Sequence, residues 1–527
     1  MTRRLSGRGT EECNVGQDHG DRLTAIDAAF LEMESPTQHM HVGGLFLFEP
    51  SAPGSFDFQK FLRLVRSRLH LVPRYRQKLA FMPLSLANPI WVDDEHFDLS
   101  YHVRHAALPR PGTLEQLTEF AARILSRPLD RDKPLWEVYV IEGLEDGRFA
   151  VLGKNHHAQI DGIAGMDIAQ VMFDVSSEIP DQYPPPEPWE PEVAPTGYSL
   201  LWSGLQAALA SPVASTVGRA QRAVRNPTTT IAKAARVGQG LVGVARSNLT
   251  RPAPKSLLNR APGVSRRIAV QPIPLDEVKR VKNAFGSTVN DVVLAMVGDT
   301  VGRYLRGRGA KTDGVRLRVM VPVSVRTESG DGALGNQVTS VFVDLPVGPM
   351  DPIERLEYCS ANMRNVKQSH HALGAEFLVG LTEFAPPTIH AMASRLAASS
   401  RLFNFVVTNV PGPQIPIYCL GARLRGAYPF IPLVATQAIA VGVTSIDGIM
   451  SFGFTADYDA VPDVNDLPAL LRGSLDDLLA SAGATEARKA SPGEPNAPVP
   501  GDDTTELALQ RPNERALPDP GSEAAGA

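Results

Sequence analysis

Strand-like and helix-like segments are interspersed along the chain, and this pattern most constrains its fold. In the first half, apolar residues alternate over residues 40–48, whereas their spacing over residues 56–69 is typical of a helix. Residues 136–141 and 149–153 are predicted to form a strand pair joined at residues 145–147, where Glu-Asp-Gly is a turn sequence. Such a mixture indicates an α/β fold, an α+β sandwich, rather than a helical bundle.

The same mixture recurs in the second half. Helical spacing is found over residues 275–284, 290–305 and 353–369, and strand-like segments cover residues 315–325 and 338–345. A chain of 527 residues is too long for one ordinary hydrophobic core. Two domains are therefore predicted.

The predicted boundaries follow composition. The two domains are placed at residues 21–178 and 267–483, separated by a Pro-rich and then basic crossover at residues 179–266. Residues 1–20 lack periodic apolar residues, and residues 484–527 are rich in Pro, Gly, Ala, Asp and Glu. Both ends are expected to be disordered, because they cannot bury enough apolar surface to offset the entropy of ordering.

Charge is distributed unevenly along the chain. The net charge of −5 argues against a nucleic-acid partner. Residues 193–275, however, contain eleven Lys and Arg and no Asp or Glu. A basic, mildly amphipathic segment can lie on an anionic lipid surface. The alternative is a solvated crossover between domains with a basic face, so both interpretations stay open.

Cysteine usage and hydropathy indicate the compartment. Cys13, Cys359 and Cys419 are widely spaced without a CxxC pair, which argues against a disulfide framework or a metal site. No apolar run approaches the roughly 18 residues of a membrane span, and the N-terminus has no apolar core of a secretory signal. A cytoplasmic protein is predicted, with peripheral contact to a membrane or to lipid inclusions left open.

The most specific motif is HHAQIDG at residues 156–162. It follows the apolar run at residues 149–153 and precedes a predicted helix at residues 163–173. Imidazole titrates near neutral pH, so a histidine held at such a junction can take a proton from an alcohol and return it within one cycle. The motif therefore predicts general-base chemistry.

Other short motifs accompany HHAQIDG in a fixed order. They are MHVGG at residues 40–44, PLWE at 134–137, TVND at 288–291, LGN at 334–336 and NVPGP at 409–413. With HHAQIDG, which matches the HHxxxDG signature of CoA-dependent acyltransferases, the set resembles the bacterial wax ester synthase/acyl-CoA:diacylglycerol acyltransferase family from about residue 23 to residue 479. The combination is specific, whereas PLW or NVPGP alone is weak.

The resemblance implies two chloramphenicol-acetyltransferase-like domains with the active-site tunnel at their interface. It implies acyl-CoA as the donor substrate, no separate cofactor, and a diacylglycerol or a long-chain alcohol as the acceptor. His157 would be the base, and no covalent acyl-enzyme would form. The basic crossover would then have a further use, since it could gather the polyanionic CoA.

The resemblance also implies roles around His157. Asp161 would point away from the reacting atoms and pair with an arginine, for which Arg74, Arg76 and Arg326 are candidates; a local helix N-cap is an equally simple alternative. The structural role of Gly162 would be a tight backbone path. His156 is either a supporting catalytic group or, as we favour, a packing imidazole.

Two asparagines complete the predicted site. Asn290 is expected either to orient substrate or stabilise the oxyanion, or to be an ordinary helix-start residue together with Thr288 and Asp291. Asn409 begins NVPGP, which is predicted to be a rigid turn that fixes the end of a strand. The resemblance places this turn near the tunnel, where it would shape the substrate site. Trp136 is predicted to be a packing residue.

Two other functional classes share the same motif. A stand-alone condensation enzyme of the peptide-synthetase type would acylate an amine or hydroxyl from a carrier-bound donor. A non-catalytic lipid-surface protein could retain the fold without the activity. The absence of a carrier segment in the sequence weighs against the first, and the intact His157 with its companion motifs weighs against the second.

Overall fold

The computed structural model describes residues 22–52, 54–82, 88–159, 171–180, 183–184, 188–193, 195, 252–324, 338–370, 402–434 and 436–490. In the first half, the helices and strands in chain order are α1 (Ala25–Met33), β1 (His41–Glu49), α2 (Phe58–Arg68), β2 (Gln77–Ala80), β3 (Ile90–Asp93), α3 (Leu99–His102), β4 (Val103–Ala107), α4 (Leu114–Leu125), β5 (Trp136–Glu142) and β6 (Phe149–His156).

The second half continues the mixture. Its elements are β7 (Arg266–Pro274), α5 (Leu275–Phe285), α6 (Val289–Gly307), β8 (Arg316–Ser324), β9 (Val338–Pro346), α7 (Pro352–His370), β10 (Phe405–Pro411), β11 (Tyr418–Cys419), β12 (Ala422–Phe430), β13 (Ile439–Ile446), β14 (Ile449–Asp457) and α8 (Leu467–Ala490). The predicted mixed α/β fold is therefore confirmed.

A six-stranded sheet carries the candidate site. Its strand order is β11-β12-β1-β6-β5-β4, and β4 and β5 are parallel whereas the other pairs are antiparallel. Every residue of β6 is buried, as expected for a central strand. β1 and β6 are in register, with His41 opposite His156. The end of β6 thus lies beside the start of β1.

A second six-stranded sheet has the order β7-β14-β13-β10-β8-β9, in which β10 is parallel to both neighbours. Helices α5, α6 and α8 pack together beside it. In α5, Leu275, Val278 and Val281 form the buried stripe, and the helix ends at Gly286, whose φ of 63° suits the left-handed cap. A single apolar core joins these helices to the sheet through residues such as Val297.

The chain crosses between the two sheets at β12. Although β11 and β12 lie in the second half of the sequence, they pair into the first sheet, with Pro429 opposite Gly44. The Pro429 carbonyl lies against Gly442 and Gly453, which face each other in β13 and β14. Because neither glycine has a side chain, the backbone of β12 approaches the second sheet closely at this point.

Several predicted elements are confirmed. Residues 136–141 and 149–153 form the antiparallel pair β5–β6, with a short 3₁₀ turn at Glu145–Gly147. Strand β6 continues to His156, three residues beyond its predicted end. Helix α8 also continues to Ala490, past the predicted boundary at residue 483, because Ala, Glu and Arg are good helix formers. The domain boundaries stay a prediction.

Some predictions fall outside the described residues. These are the N-terminal residues 1–20, most of the helix at residues 163–173, the crossover from 196 to 251, the LGN motif at 334–336 and the tail from 491 onward. In the described ranges, no helix combines the length and the apolar character that crossing a bilayer requires.

Candidate active site

His157 occupies the turn that directly follows β6. Its backbone N–H donates to the Met40 carbonyl at 2.8 Å, which ties the turn to the residue before β1. Its imidazole stacks on the Phe30 ring, with 3.9 Å between centroids and an interplanar angle of 24°. Phe30 belongs to helix α1. The N-terminus of this helix is capped by the Thr24 hydroxyl, which accepts from the Asp27 N–H. The backbone and the ring of His157 are thus held by different elements.

His156 is turned into the protein interior. It is 1% exposed, and its Nδ1 accepts the Ala158 backbone N–H at 3.0 Å. A ring nitrogen that accepts a hydrogen bond carries no proton, so the proton of a neutral ring is on Nε2. That atom lies 3.6 Å from Oε2 of Glu34. These contacts agree with the packing role that we favoured for His156.

Glu34 is the centre of a cluster that the sequence analysis did not identify. Its carboxylate lies within 4 Å of nitrogen atoms on His39, His41 and His156. Arg131 donates to Glu34 Oε2 through Nε at 3.0 Å and Nη2 at 2.5 Å. Burial by itself raises the pKa of Glu34, but the neighbouring groups His156 and Arg131 outweigh it and lower the pKa to about 2.

The histidines of the site are tuned mainly by burial. Removal from water lowers the pKa of His157 below its ordinary value, whereas the carbonyl of His157 opposes this effect. Burial likewise lowers the pKa of His39, and lowers that of His41 strongly. A neutral imidazole at physiological pH is the form that a general base requires.

Several buried polar atoms around the turn have no hydrogen-bond partner among the described residues. They include His157 Nδ1, Asn155 Oδ1 and both amide atoms of Gln159. Because protein interiors rarely leave such atoms unpaired, their concentration beside His157 suits the polar part of a substrate. Gln159 is a second residue that sequence reasoning passed over.

The two predicted substrate-binding asparagines meet each other. Asn409 Nδ2 donates to Asn290 Oδ1 at 3.5 Å, linking β10 to the first turn of α6. Thr288 and Asp291 form a reciprocal capping box at the start of α6, which confirms them as helix-start residues. Asn290 takes no part in that box. Among the described contacts, none joins either asparagine to His157.

The remaining candidates divide into two groups. Asp161, Gly162 and Arg326 lie outside the described residues, so the arginine partner of Asp161 stays a prediction. Arg74 and Arg76 lie over the rings of Trp91 and Trp189, at 4.8 and 4.6 Å.

Trp136 and the two described cysteines are packing residues. Trp136 is 1% exposed, and its indole N–H donates to the Tyr75 carbonyl. Cys359 and Cys419 are buried, and burial raises the pKa of both thiols. In the described part of the chain, no group of three or more His, Cys, Asp or Glu side chains is arranged to hold a metal ion.

Two family models match this chain. The sequence model described as the wax ester synthase/diacylglycerol acyltransferase catalytic domain matches residues 23–293, and that of the WS/DGAT C-terminal domain matches residues 334–479. The probable diacylglycerol O-acyltransferase tgs2 of Mycobacterium tuberculosis is 37% identical over 467 residues, which cover 88% of this chain and 100% of that protein.

Solved structures show the same likeness. The wax ester synthase/diacylglycerol acyltransferase from Marinobacter aquaeolei VT8 is 29% identical, with a TM-score of 0.63 over 88% of this chain and 100% of that one. The first condensation domain of the CDA synthetase is 15% identical, with a TM-score of 0.53 over 88% of this chain and 97% of that one. The latter likeness concerns the fold alone.

Proposed function

Because this chain belongs to the wax ester synthase/diacylglycerol acyltransferase family, we propose that it moves a long-chain acyl group from acyl-CoA to the free hydroxyl of a diacylglycerol. The product is a triacylglycerol, and free CoA is released. The observation that carries the proposal is the position of His157, which is held through its backbone by Met40 and through its ring by Phe30, within the segment that matches the catalytic domain.

In the proposed mechanism, neutral His157 removes the proton of the acceptor hydroxyl as its oxygen attacks the thioester carbonyl. The tetrahedral intermediate then collapses, the C–S bond breaks, and the imidazolium returns the proton to the departing thiolate. Because a thioester is already activated, no covalent acyl-enzyme is needed. General-base catalysis of this kind contributes roughly 10²–10⁴-fold. The lowered pKa of His157 supports its role, since it keeps the base neutral near pH 7.

Other residues support the reaction without accepting the proton. The Asn409–Asn290 pair binds substrate and is available to stabilise the oxyanion through an amide N–H. Asp161 supports the loop that presents His157, and Gly162 allows its tight backbone path. His156 orients the turn.

The names of the relatives support the proposed acceptor. Several proteins 32–37% identical to this chain carry diacylglycerol O-acyltransferase names, which favours a diacylglycerol. A long-chain alcohol, giving a wax ester, is the second candidate because the matching catalytic domain is described by both activities. An amine acceptor on a carrier-bound donor has weaker support, since the likeness to condensation domains is one of fold.

We propose that the protein is cytoplasmic. Because both substrates of the proposed reaction are lipids, we also propose peripheral contact to a membrane or to lipid inclusions. The acid-free basic residues 193–275 are the proposed contact. Deleting residues 200–236 is expected to weaken binding to anionic liposomes more than turnover of a soluble short-chain thioester. Unchanged liposome binding by the deletion variant would remove this part of the proposal.

A competition assay tests the proposed acceptor. Purified protein receives palmitoyl-CoA with equal amounts of diacylglycerol and hexadecanol, and free CoA and both lipid products are followed. Triacylglycerol as the main product is expected. Wax ester as the main product would select the second candidate, and the absence of both products from folded protein would contradict O-acyl transfer.

A further inference from the structure

The C-terminal end of α1 touches both histidines of the motif. Phe30 stacks on the His157 ring, and Glu34, four residues later, faces His156. Residues four apart in and just after a helix lie on one side of it, so α1 presents both groups to the same turn. We propose that Glu34 is a positioning residue for the reaction, which fixes the His156 ring and through it the turn that presents His157. This inference rests on the proposed role of His157.

A series of contacts connects Arg131, through Glu34 and His156, to the turn. Arg131 holds Glu34 Oε2 with two donors and also donates to the Leu31 carbonyl at 3.1 Å, so the carboxylate is fixed relative to α1. The same oxygen lies 3.6 Å from His156 Nε2, the ring atom that carries the proton. The other ring nitrogen of His156 accepts the N–H of Ala158, the residue after His157.

The charge on Glu34 decides which nitrogen of His156 is protonated. A carboxylate facing Nε2 favours a proton there and leaves Nδ1 as the acceptor for Ala158. Without this charge, a neutral ring can carry its proton on Nδ1, where it would confront the Ala158 N–H. Two donors facing each other repel, and the turn over residues 157–159 would shift.

A shift of the turn would act on the chemical step. The Met40 and Phe30 contacts of His157 remain, so the base would be displaced rather than lost. Misplacing a reacting group by about 1 Å can lower a rate by roughly 100-fold. Glu34 touches no substrate in this scheme. Loss of its charge should therefore lower kcat, whereas KM for acyl-CoA and for the acceptor should change little.

Glu34→Gln is the central variant, because it keeps the size of the side chain and removes its charge. We expect kcat to fall on the order of 10- to 100-fold, with both KM values within about twofold of wild type. Glu34→Asp, which keeps a carboxylate, is expected to recover part of the rate. Arg131 is 42% exposed at its side chain and is therefore hydrated when its partner is neutral, so the variants should fold; melting temperatures verify this.

Glu49→Gln is the matched control. Glu49 also pairs with an arginine, Arg425, but both side chains are nearly half exposed, and an exposed ion pair contributes little. Its kcat should equal that of wild type. A kcat for Glu34→Gln within twofold of wild type, or a loss that appears in KM alone, would overturn the proposal.

A double variant separates positioning from general loss of structure. If Glu34 acts through His156, Glu34→Gln should lower kcat no further in a His156→Ala background. Multiplicative losses would show an independent role and contradict the inference. His157→Ala, measured beside these variants, separates the proposed mechanism from the proposed role of Glu34. Retained activity of His157→Ala would refute the mechanism itself. An inactive His157→Ala together with a normal kcat for Glu34→Gln would refute only the role of Glu34.

Discussion

The crossing of β12 over the second sheet makes a specific prediction about stability. Gly453 in β14 and Gly442 in β13 face each other, and the Pro429 carbonyl of β12 lies against both. Because β12 belongs to the first sheet, these contacts connect the two sheets. Replacing either glycine with alanine places a methyl group between them, and we expect both variants to be destabilised.

The size of the effect follows from the distances. A Cβ atom at Gly453 would lie 2.2 Å from the Pro429 oxygen, and one at Gly442 would lie 2.6 Å from it, whereas ordinary contact begins near 3.4 Å. The obstructing atom is backbone and cannot rotate away, so the strands must separate by roughly 1 Å. Overpacking of this kind costs about 1–3 kcal/mol. The cost should be near the upper end of that range for Gly453→Ala and smaller for Gly442→Ala.

Thermal unfolding followed by tryptophan fluorescence measures the loss. For a chain of 527 residues, a loss of about 1–3 kcal/mol should lower the midpoint by about 1–3 °C. Gly307→Ala is the control: Gly307 ends α6, an added Cβ there meets no atom within 4 Å, and alanine is the better helix former, so the midpoint should be unchanged or higher. A midpoint of Gly453→Ala equal to that of wild type would refute the close packing at the crossing.

Two further predictions concern the reaction. Since burial lowers the pKa of His157 below 6.5, the base stays neutral to a lower pH than free histidine, and kcat/KM should hold its plateau as pH falls through 6.5 and decline only below it. A decline centred above pH 6.5 would contradict this assignment. Burial raises the pKa of Cys359 to about 12 and also that of Cys419, so iodoacetamide treatment of the folded enzyme should leave transfer intact. Inactivation that acyl-CoA prevents would instead indicate a thiol at the site.

The apolar periodicity was sufficient to predict the β5–β6 pair but not the end of β6. Lys154 and Asn155 resemble the polar end of a strand, yet both are buried. The Lys154 ammonium donates to the carbonyls of Ile124 and Arg127, near the C-terminus of α4. Ile124 lies 30 residues and Arg127 27 residues from Lys154 in sequence, so a local pattern gives no sign that a lysine can be buried there.

Contiguous motifs were sufficient to propose site residues, whereas contacts between residues distant in sequence could not be predicted. HHAQIDG identified His157 by its spacing, and the two asparagines were selected by their motifs. Their mutual contact joins positions 119 residues apart, and Glu34 meets Arg131 across 97 residues. The pairing of β12 with β1 has the same origin. A single sequence does not reveal which distant residues meet.

The rate of His157→Ala tests the central claim most directly. With palmitoyl-CoA and a diacylglycerol, and with His96→Ala as a control at an exposed histidine, the account predicts that kcat falls by at least about 100-fold in His157→Ala and not in the control. The melting temperature of each variant should match that of wild type. A folded His157→Ala protein that forms triacylglycerol within a few-fold of the wild-type rate would contradict general-base catalysis by His157.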